Sequence, residues 1–295
     1  MGIPTIYAAL LVRAREDGAT FQKVATIGRQ SLTVPEQDLS AMADRLGRKD
    51  VDLRALAASG FAEPFLKELL GAEQVTSFDY SSYQGVDEVH DFNEALDPSF
   101  HGAFDALLDG GCIEHIFDVR QVFENYMSMV KPGGNIFIHT PANNLLGHGF
   151  YQFSPELFYR VFSEKNGFEV RDLCLTESPF SAIEVSRRQR CFLTRDPEAM
   201  GKRVRLVNDK PVMLFVHARR VAERPLFQAS PVQSDYSRTW RKHEAEADPR
   251  KPGARDGKGP KPFRYLSWWQ ELRRRSVQKR KHSLENRRFF EAIEP

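Results

Sequence analysis

Acidic residues stand directly after several short apolar segments that we expect to be strands. Asp79 can accept hydrogen bonds from both hydroxyls of a ribose-like diol, and Asp91 can accept one from an exocyclic amine. Phe92, beside Asp91, can stack on a flat ring, and Gly28 permits a tight turn with close backbone approach. These residue types at successive strand ends predict a nucleoside-like ligand.

A glycine-flanked histidine is a candidate proton acceptor. His148 lies between Gly147 and Gly149, on a pliable loop with little packing expected around its imidazole. Histidine titrates near neutral pH, which suits a general base that takes a proton from a hydroxyl or an amine. Tyr151 can supply an orienting hydrogen bond, and His115 is the rival base.

Each of these assignments has a structural alternative. An aspartate after a strand commonly caps a helix or closes a turn, and a loop histidine is commonly a solvated surface group. The pair Glu114-His115 can equally cap the helix that follows it or close a pocket. The spacing contains neither H-x-x-E-H nor C-x-x-C, so we expect no metal ligand set.

The elements that must position these residues alternate between apolar runs and helical patterns. Strands are predicted at 23–27, 74–78, 88–90, 103–108, 135–139, 168–176 and 211–221. Helices are predicted at 6–17, 36–47, 64–70, 118–130 and 155–165. This alternation is typical of a doubly wound parallel sheet, in which ligands bind beyond the carboxyl ends of the strands.

The C-terminal part of the chain has a different character. Residues 241–262 are rich in Gly, Pro and charge without apolar periodicity, which predicts a linker or a disordered loop. In the segment 263–290 a basic run accompanies Trp268, Trp269 and Leu272, and we expect a helix docked by these apolar side chains. The sequence thus divides into a main domain, 1–237, and an extension, 238–295.

Composition and cysteine content bound the class of protein. The chain has 295 residues, of which 41% are hydrophobic, so it can bury a large core. No window reaches the ~20 unbroken apolar residues of a membrane helix. Near the N-terminus, basic residues follow the apolar stretch instead of preceding it, which favours a helix over a secretion signal. Three widely spaced cysteines predict neither a disulfide framework nor a zinc cluster, so we expect a cytoplasmic protein.

The net charge of +2 hides an uneven distribution. From Arg238 onward there are 17 Lys and Arg against 8 Asp and Glu, whereas the preceding part has 25 against 32. The basic tail can bind nucleic acid, hold an anionic substrate, or simply be a solvated helix face. The acidic body argues against a long nucleic-acid footprint, because phosphate contacts dominate such binding. The aromatic side chains of the tail can also form a homodimer contact.

Residues 104–144, FDALLDGGCIEHIFDVRQVFENYMSMVKPGGNIFIHTPANN, carry a resemblance to a known superfamily. Glu114-His115, a helix, and the turn 131–134 (KPGG) into the next strand resemble class I S-adenosylmethionine-dependent methyltransferases. The resemblance spans about residues 20–220. It points to a bacterial branch with an IGRQ turn, a DGG-x-x-EH loop and a GHGFYQFSPE segment.

The resemblance implies a fold, a cofactor and a set of site residues. The implied fold is a Rossmann-like, doubly wound, mostly parallel seven-stranded sheet with an antiparallel last strand, followed by a basic helical extension. The implied cofactor is S-adenosyl-L-methionine. The cofactor-binding residues would be Gly28, Arg29, Asp79, Tyr80, Asp91, Phe92, Asp109, Gly110, Gly111 and Glu114, and the catalytic residues His148, His115 and Tyr151.

The turn after the first strand departs from the superfamily pattern. The pattern is G-x-G-x-G, whereas this chain has Ile27-Gly28-Arg29-Gln30-Ser31, with one glycine. Arg29 would either pair with the carboxylate of the methionine moiety or fill the pocket.

The function implied is therefore methyl transfer to a hydroxyl or amine of a small polar acceptor, such as a sugar or a nucleotide-linked sugar, with a histidine base. Two alternatives remain. One is a catalytically inactive interaction module that keeps the fold, and the other is an RNA methyltransferase that uses the basic tail.

Overall fold

A computed structural model describes residues 2–179, 189–246 and 268–295 of the chain. Its strands are β1 (Gly2–Pro4), β2 (Lys23–Ile27), β3 (Ser31–Thr33), β4 (Gln74–Asp79), β5 (Glu88–Val89), β6 (Phe104–Asp109), β7 (Val130–Asn143), β8 (Phe168–Glu177), β9 (Arg190–Thr194), β10 (Val212–Arg220) and β11 (Phe290–Ile293). Its helices are α1 (Thr5–Glu16), α2 (Glu36–Arg45), α3 (Leu53–Ala58), α4 (Glu63–Glu68), α5 (Val119–Met129), α6 (Pro155–Val161), α7 (Pro197–Met200), α8 (Ser234–Glu246) and α9 (Trp268–Lys281).

Nine of the strands form one sheet in the order β11-β9-β8-β10-β7-β6-β2-β4-β5. The predicted α/β class with a mostly parallel sheet is confirmed, and β10 lies antiparallel between β7 and β8. The predicted count of seven strands is too low, because β9 and β11 add to the edge beyond β8. β9 belongs to a polar segment without a clear strand pattern, and β11 belongs to the tail.

Alternate residues of the central strands enter two separate cores. In β7, Ile136 and Ile138 point into one core and Phe137 into the other, as the two-residue period of a strand requires. α5 and α6 cover the first face, and α1 to α4 cover the second. The helices on both faces explain why the central strands are apolar runs rather than alternating polar ones.

The order of the strands reverses between β2 and β6. From β2 the chain proceeds to β4 and β5 on one side, and then returns to β6 and β7 on the other. Such a switch point opens a crevice at the carboxyl ends of the strands. Here the short parallel pair of β1 and β3 also reaches this edge, and the Gly2 amide donates to the Gly110 carbonyl at 3.0 Å.

The C-terminal residues complete the sheet instead of forming only a surface helix. β11 pairs with β9, and Phe289 and Phe290 are buried. Trp268 and Trp269 of α9 are 63% and 70% exposed, so the prediction that they dock the helix is wrong. α8 extends to Glu246, where a linker was predicted from residue 241, and it spans the predicted domain boundary at 237. The rest of that linker, 247–262, lies outside the described residues.

Among the described helices, none combines the length and apolar character needed to cross a membrane.

Phe290→Ala tests whether the tail is part of the sheet. Phe290 is 1% exposed and sits in the core on one face of the sheet. Its truncation is expected to lower the free energy of unfolding by about 3–5 kcal/mol, as for other buried aromatics. Trp269→Ala, at an exposed position, is the matched control and should change it by less than about 0.5 kcal/mol. Equal effects in thermal denaturation would contradict the placement of β11.

Candidate active site

The loop after β6 is organised around a buried carboxylate. Asp109 accepts hydrogen bonds from the amides of Gly111 (3.0 Å), Cys112 (2.6 Å) and Ile113 (3.0 Å). It also accepts one from the Tyr126 hydroxyl at 2.9 Å. Burial raises the pKa of Asp109 to about 6 despite these donors, which favour the charged form. Asp109 therefore anchors the loop, and its carboxylate is not free to contact a ligand as the sequence suggested.

Two predicted acidic residues lie at the neighbouring strand ends with oxygens available. Asp79 is half-buried at the end of β4, and within the described residues its carboxylate has no hydrogen bond. Its charge contributes to the raised pKa of the Cys112 thiol, after burial and Asp109, which places it near the loop after β6. Asp91 binds the amide and the side chain of Asn93 through Oδ1 alone, so its Oδ2 remains open to a ligand.

The prediction that Phe92 stacks on a ligand ring is wrong, because its side chain is buried. Phe92 is 4% exposed and packs edge-to-face against Phe78, His90 and Tyr126. The aromatic side chain that is open next to Asp79 is Tyr80, which is 73% exposed. The position of Phe92 beside a strand end suggests a ligand contact, but its side chain packs into the adjacent core.

Arg29 takes neither of its two expected roles. Its Nε lies 2.7 Å from a Glu63 carboxylate oxygen, and another guanidinium nitrogen donates to the Gln84 carbonyl at 2.8 Å. The guanidinium also lies over the Phe61 ring, 3.9 Å from its centre. These contacts tie the side chain to α4 and the loop after β4.

Gln30, for which the sequence pattern predicts no role, packs into the turn instead. It stands where the superfamily pattern has its second glycine, and its side-chain amide donates to the carbonyls of Ile27 and Gly28. A Cβ at Gly110 would overlap Gln30 Oε1 and lie 2.7 Å from the Gly2 carbonyl, so glycine is required there. Gln30 Oε1 is buried and has no hydrogen-bond partner among the described residues.

Both predicted histidines meet at Glu114. Glu114 Oε1 lies 3.7 Å from His148 Nε2 and 3.9 Å from His115 Nε2, and the two imidazole centres are 5.5 Å apart. The histidine side chains are about half exposed, whereas Glu114 is fully buried. Its other oxygen, Oε2, accepts a hydrogen bond from Thr140 at 2.9 Å. We refer to Glu114, His115 and His148 as the Glu–His–His cluster.

Backbone contacts hold the His148 loop against the loop after β6. The Glu114 carbonyl accepts hydrogen bonds from the amides of Phe150 (2.8 Å) and Tyr151 (3.3 Å). A Cβ at Gly149 would lie 2.8 Å from the same carbonyl oxygen, so this close approach needs glycine. The Tyr151 hydroxyl donates to the Phe117 carbonyl at 2.7 Å, so Tyr151 stabilises the loop rather than orienting an acceptor directly.

The cluster combines one buried acid with two accessible bases. Burial, followed by the charge of Asp109, raises the pKa of Glu114 to about 8. Burial and the proximity of His148 lower the pKa of His115. The raised pKa of Glu114 keeps its carboxyl largely protonated at neutral pH, and the lowered pKa of His115 keeps that imidazole neutral and able to accept a proton. The arrangement can remove a proton from a bound acceptor or hold a cation.

Comparison with known proteins yields structural matches alone. No family model and no curated protein matches the chain. Solved structures that match include a Burkholderia thailandensis 1,6-didemethyltoxoflavin-N1-methyltransferase with bound S-adenosylhomocysteine, at 14% identity over 74% of this chain and 78% of that one, TM-score 0.37. The chain is similar to S-adenosylmethionine-dependent methyltransferases of known structure.

Two further solved structures also match the chain. A Haemonchus contortus phosphoethanolamine N-methyltransferase in complex with S-adenosyl-L-methionine matches at 14% identity over 73% of this chain and 52% of its own, TM-score 0.38. A Thermus thermophilus branched-chain polyamine synthase in complex with 5'-methylthioadenosine matches at 14% identity, over 78% of this chain and 58% of its own, TM-score 0.38. The chain thus spans just over half the length of these two proteins. The functional assignment rests on the residues of the site.

Proposed function

We propose that the protein is an S-adenosylmethionine-dependent methyltransferase that acts on a hydroxyl or an amine of a small polar acceptor. The observation that carries the proposal is a juxtaposition along one edge of the sheet. Asp79, whose carboxylate has no hydrogen bond within the described residues, ends β4. The loops after β6 and β7 bring together the Glu–His–His cluster at the same edge. The first suits a nucleoside diol, and the second suits removal of a proton.

The residues present fit the nucleoside half of this cofactor. Asp79 would hold the ribose hydroxyls, and Asp91 Oδ2 would accept from the adenine amine. Tyr80 offers an open aromatic face beside Asp79. At the glycine turn, Gln30 Oε1 is buried and has no hydrogen bond in the part of the chain that the structure describes. It supplies an acceptor near the switch point, in place of the open space that a second glycine would leave.

The protein's share of the chemistry is alignment and proton removal. When bound, S-adenosylmethionine supplies a methyl group on a sulfonium that is already activated for transfer. The chain must orient the acceptor and take its proton, and orientation alone contributes much of the rate. Either imidazole of the cluster can accept that proton, and the Glu114 carboxyl, which lies beside both rings, would in its ionised form stabilise the resulting imidazolium.

The rim of the cluster indicates an acceptor with an apolar face. Phe117 and Phe150 are 73% and 68% exposed, and their rings meet edge-to-face with centres 6.3 Å apart. Leu146, in the same loop as His148, is 96% exposed. Exposed aromatic side chains near polar catalytic groups are typical of small-molecule sites, where the aromatic surface orients the ligand.

Calorimetric titration with S-adenosylhomocysteine tests the cofactor assignment. We expect micromolar binding to the unchanged protein and at least tenfold weaker binding to Asp79→Asn, which cannot accept from two hydroxyls with both side-chain atoms. Glu73→Gln is the matched control, because Glu73 is exposed at the opposite end of β4. It should bind as tightly as the unchanged protein.

The outcomes separate the competing functions. Absence of heat and of any thermal shift would contradict the proposal and favour an interaction module. Equal weakening in both variants would contradict the role of Asp79. Salt-sensitive RNA binding that disappears on reversing the charges of Lys279, Arg280 and Lys281 would instead favour the RNA alternative.

His148→Ala tests the proton acceptor once a screen with labelled S-adenosylmethionine has identified an acceptor. Loss of a general base is expected to lower kcat by about 10²–10⁴-fold while S-adenosylhomocysteine binding is unchanged. His101→Ala, which removes an exposed histidine outside the cluster, should leave kcat as it is. An unchanged kcat in His148→Ala would contradict the assignment.

A further inference from the structure

We propose that Glu114, His115 and His148 form a binding site for one divalent transition-metal ion. The nearest ligand atoms of the three side chains all lie within 4.8 Å of one another. The site joins two loops that are far apart in the sequence, so the absence of a short metal-binding motif is explained.

The distances require small adjustments to close around an ion. In a tetrahedral site with bonds of about 2.1 Å, ligand atoms stand about 3.4 Å apart. Glu114 Oε1 is 3.7 Å from His148 Nε2 and 3.9 Å from His115 Nε2, each slightly longer than that spacing. Both histidine side chains are about half exposed, so rotation of the rings can supply the difference.

Glu114 Oε1 points to a missing partner. The atom is buried and has no hydrogen bond within the described part of the chain. A buried oxygen without a partner is costly, and a carboxylate more so, unless an ion or a donor satisfies it. A metal ion held with the two imidazoles would compensate that cost.

The surroundings of the carboxylate resemble the outer shell of a metal site. Thr140 donates to Oε2 at 2.9 Å and so orients Oε1 toward the histidines. The bond of 2.8 Å from the Phe150 amide to the Glu114 carbonyl keeps the His148 loop beside it. Contacts that exist without the ion therefore position the carboxylate and the His148 loop.

The donor set identifies the class of ion. Two imidazoles and one carboxylate suit Zn²⁺, Fe²⁺, Co²⁺ or Mn²⁺, whereas Ca²⁺ and Mg²⁺ prefer oxygen donors. Three protein ligands leave at least one coordination position open, as in catalytic rather than structural sites.

The open position suggests a use for the ion, which rests on the proposed methyl transfer. In the metal-loaded protein both imidazoles would be ligands rather than bases. The ion would lower the pKa of a coordinated acceptor hydroxyl, which would then release its proton to solvent water. The site would then prefer oxygen acceptors that can chelate or approach the ion past Phe117 and Phe150. Metal binding itself does not depend on the cofactor and can be measured alone.

Titration of the metal-free protein with Co²⁺ tests the site. We expect one ion per chain, with visible absorption bands typical of nitrogen and oxygen ligands, and displacement of these bands by Zn²⁺. Glu114→Gln and His148→Ala should each weaken the affinity at least about tenfold, and Thr140→Val by about tenfold through the lost orienting bond. His101→Ala should leave the affinity unchanged.

Several outcomes would overturn the inference. One is the absence of saturable Co²⁺ binding. Another is a Co²⁺ affinity that is the same in Glu114→Gln and His148→Ala as in the unchanged protein. Circular dichroism of the variants establishes that they remain folded. If Glu114→Gln is unstable, protection of His115 and His148 from diethylpyrocarbonate by Zn²⁺ in the unchanged protein decides the question. Titration with S-adenosylhomocysteine measures binding to the nucleoside pocket independently of the metal. The cofactor site and the metal site can therefore each be disproved on their own.

Discussion

The buried carboxylate of Asp109 holds the site together. Three successive backbone amides and the Tyr126 hydroxyl donate to it, and these hydrogen bonds fix the loop after β6 beside the switch point. That loop places Glu114 five residues further on, fully buried. Burial raises the pKa of Asp109 to about 6, and burial followed by the charge of Asp109 raises the pKa of Glu114 to about 8.

Glu114 also fixes the position of the second loop, which follows β7 and contains His148. Its carbonyl oxygen binds the amides of Phe150 and Tyr151, and its side chain faces His115 and His148. The two loops belong to β6 and β7, which are parallel neighbours, so their carboxyl ends must meet at one edge of the sheet. The parallel topology thus brings together residues that lie far apart in the sequence.

Much of the fold follows from the sequence because local and tertiary signals agree. The predicted strand at 23–27 matches β2, since a buried central strand is a short apolar run. β1 and β3 have three residues each, too few to show a period. β11 escaped prediction because its flanking basic run dominates the composition of the tail, although Phe289 and Phe290 carry the burial.

The site was predictable as a set of strand-end residues but not as a geometry. His115 and His148 were singled out as rival bases, and the structure makes them neighbours around Glu114. Phe92 and Arg29 were assigned to a ligand because sequence position cannot show which nearby groups compete for a side chain. The packing of Gln30 against Gly110 depends on strand order, which no local pattern reports.

Hydrogen exchange of the backbone amides, followed by mass spectrometry with and without S-adenosylhomocysteine, locates the cofactor site. We expect slower exchange in peptides that cover residues 79–92 and 109–115, and no change in peptides from 268–295. Slowing confined to the basic C-terminal residues, or none at saturating ligand, would contradict a cofactor site at the carboxyl edge of the sheet.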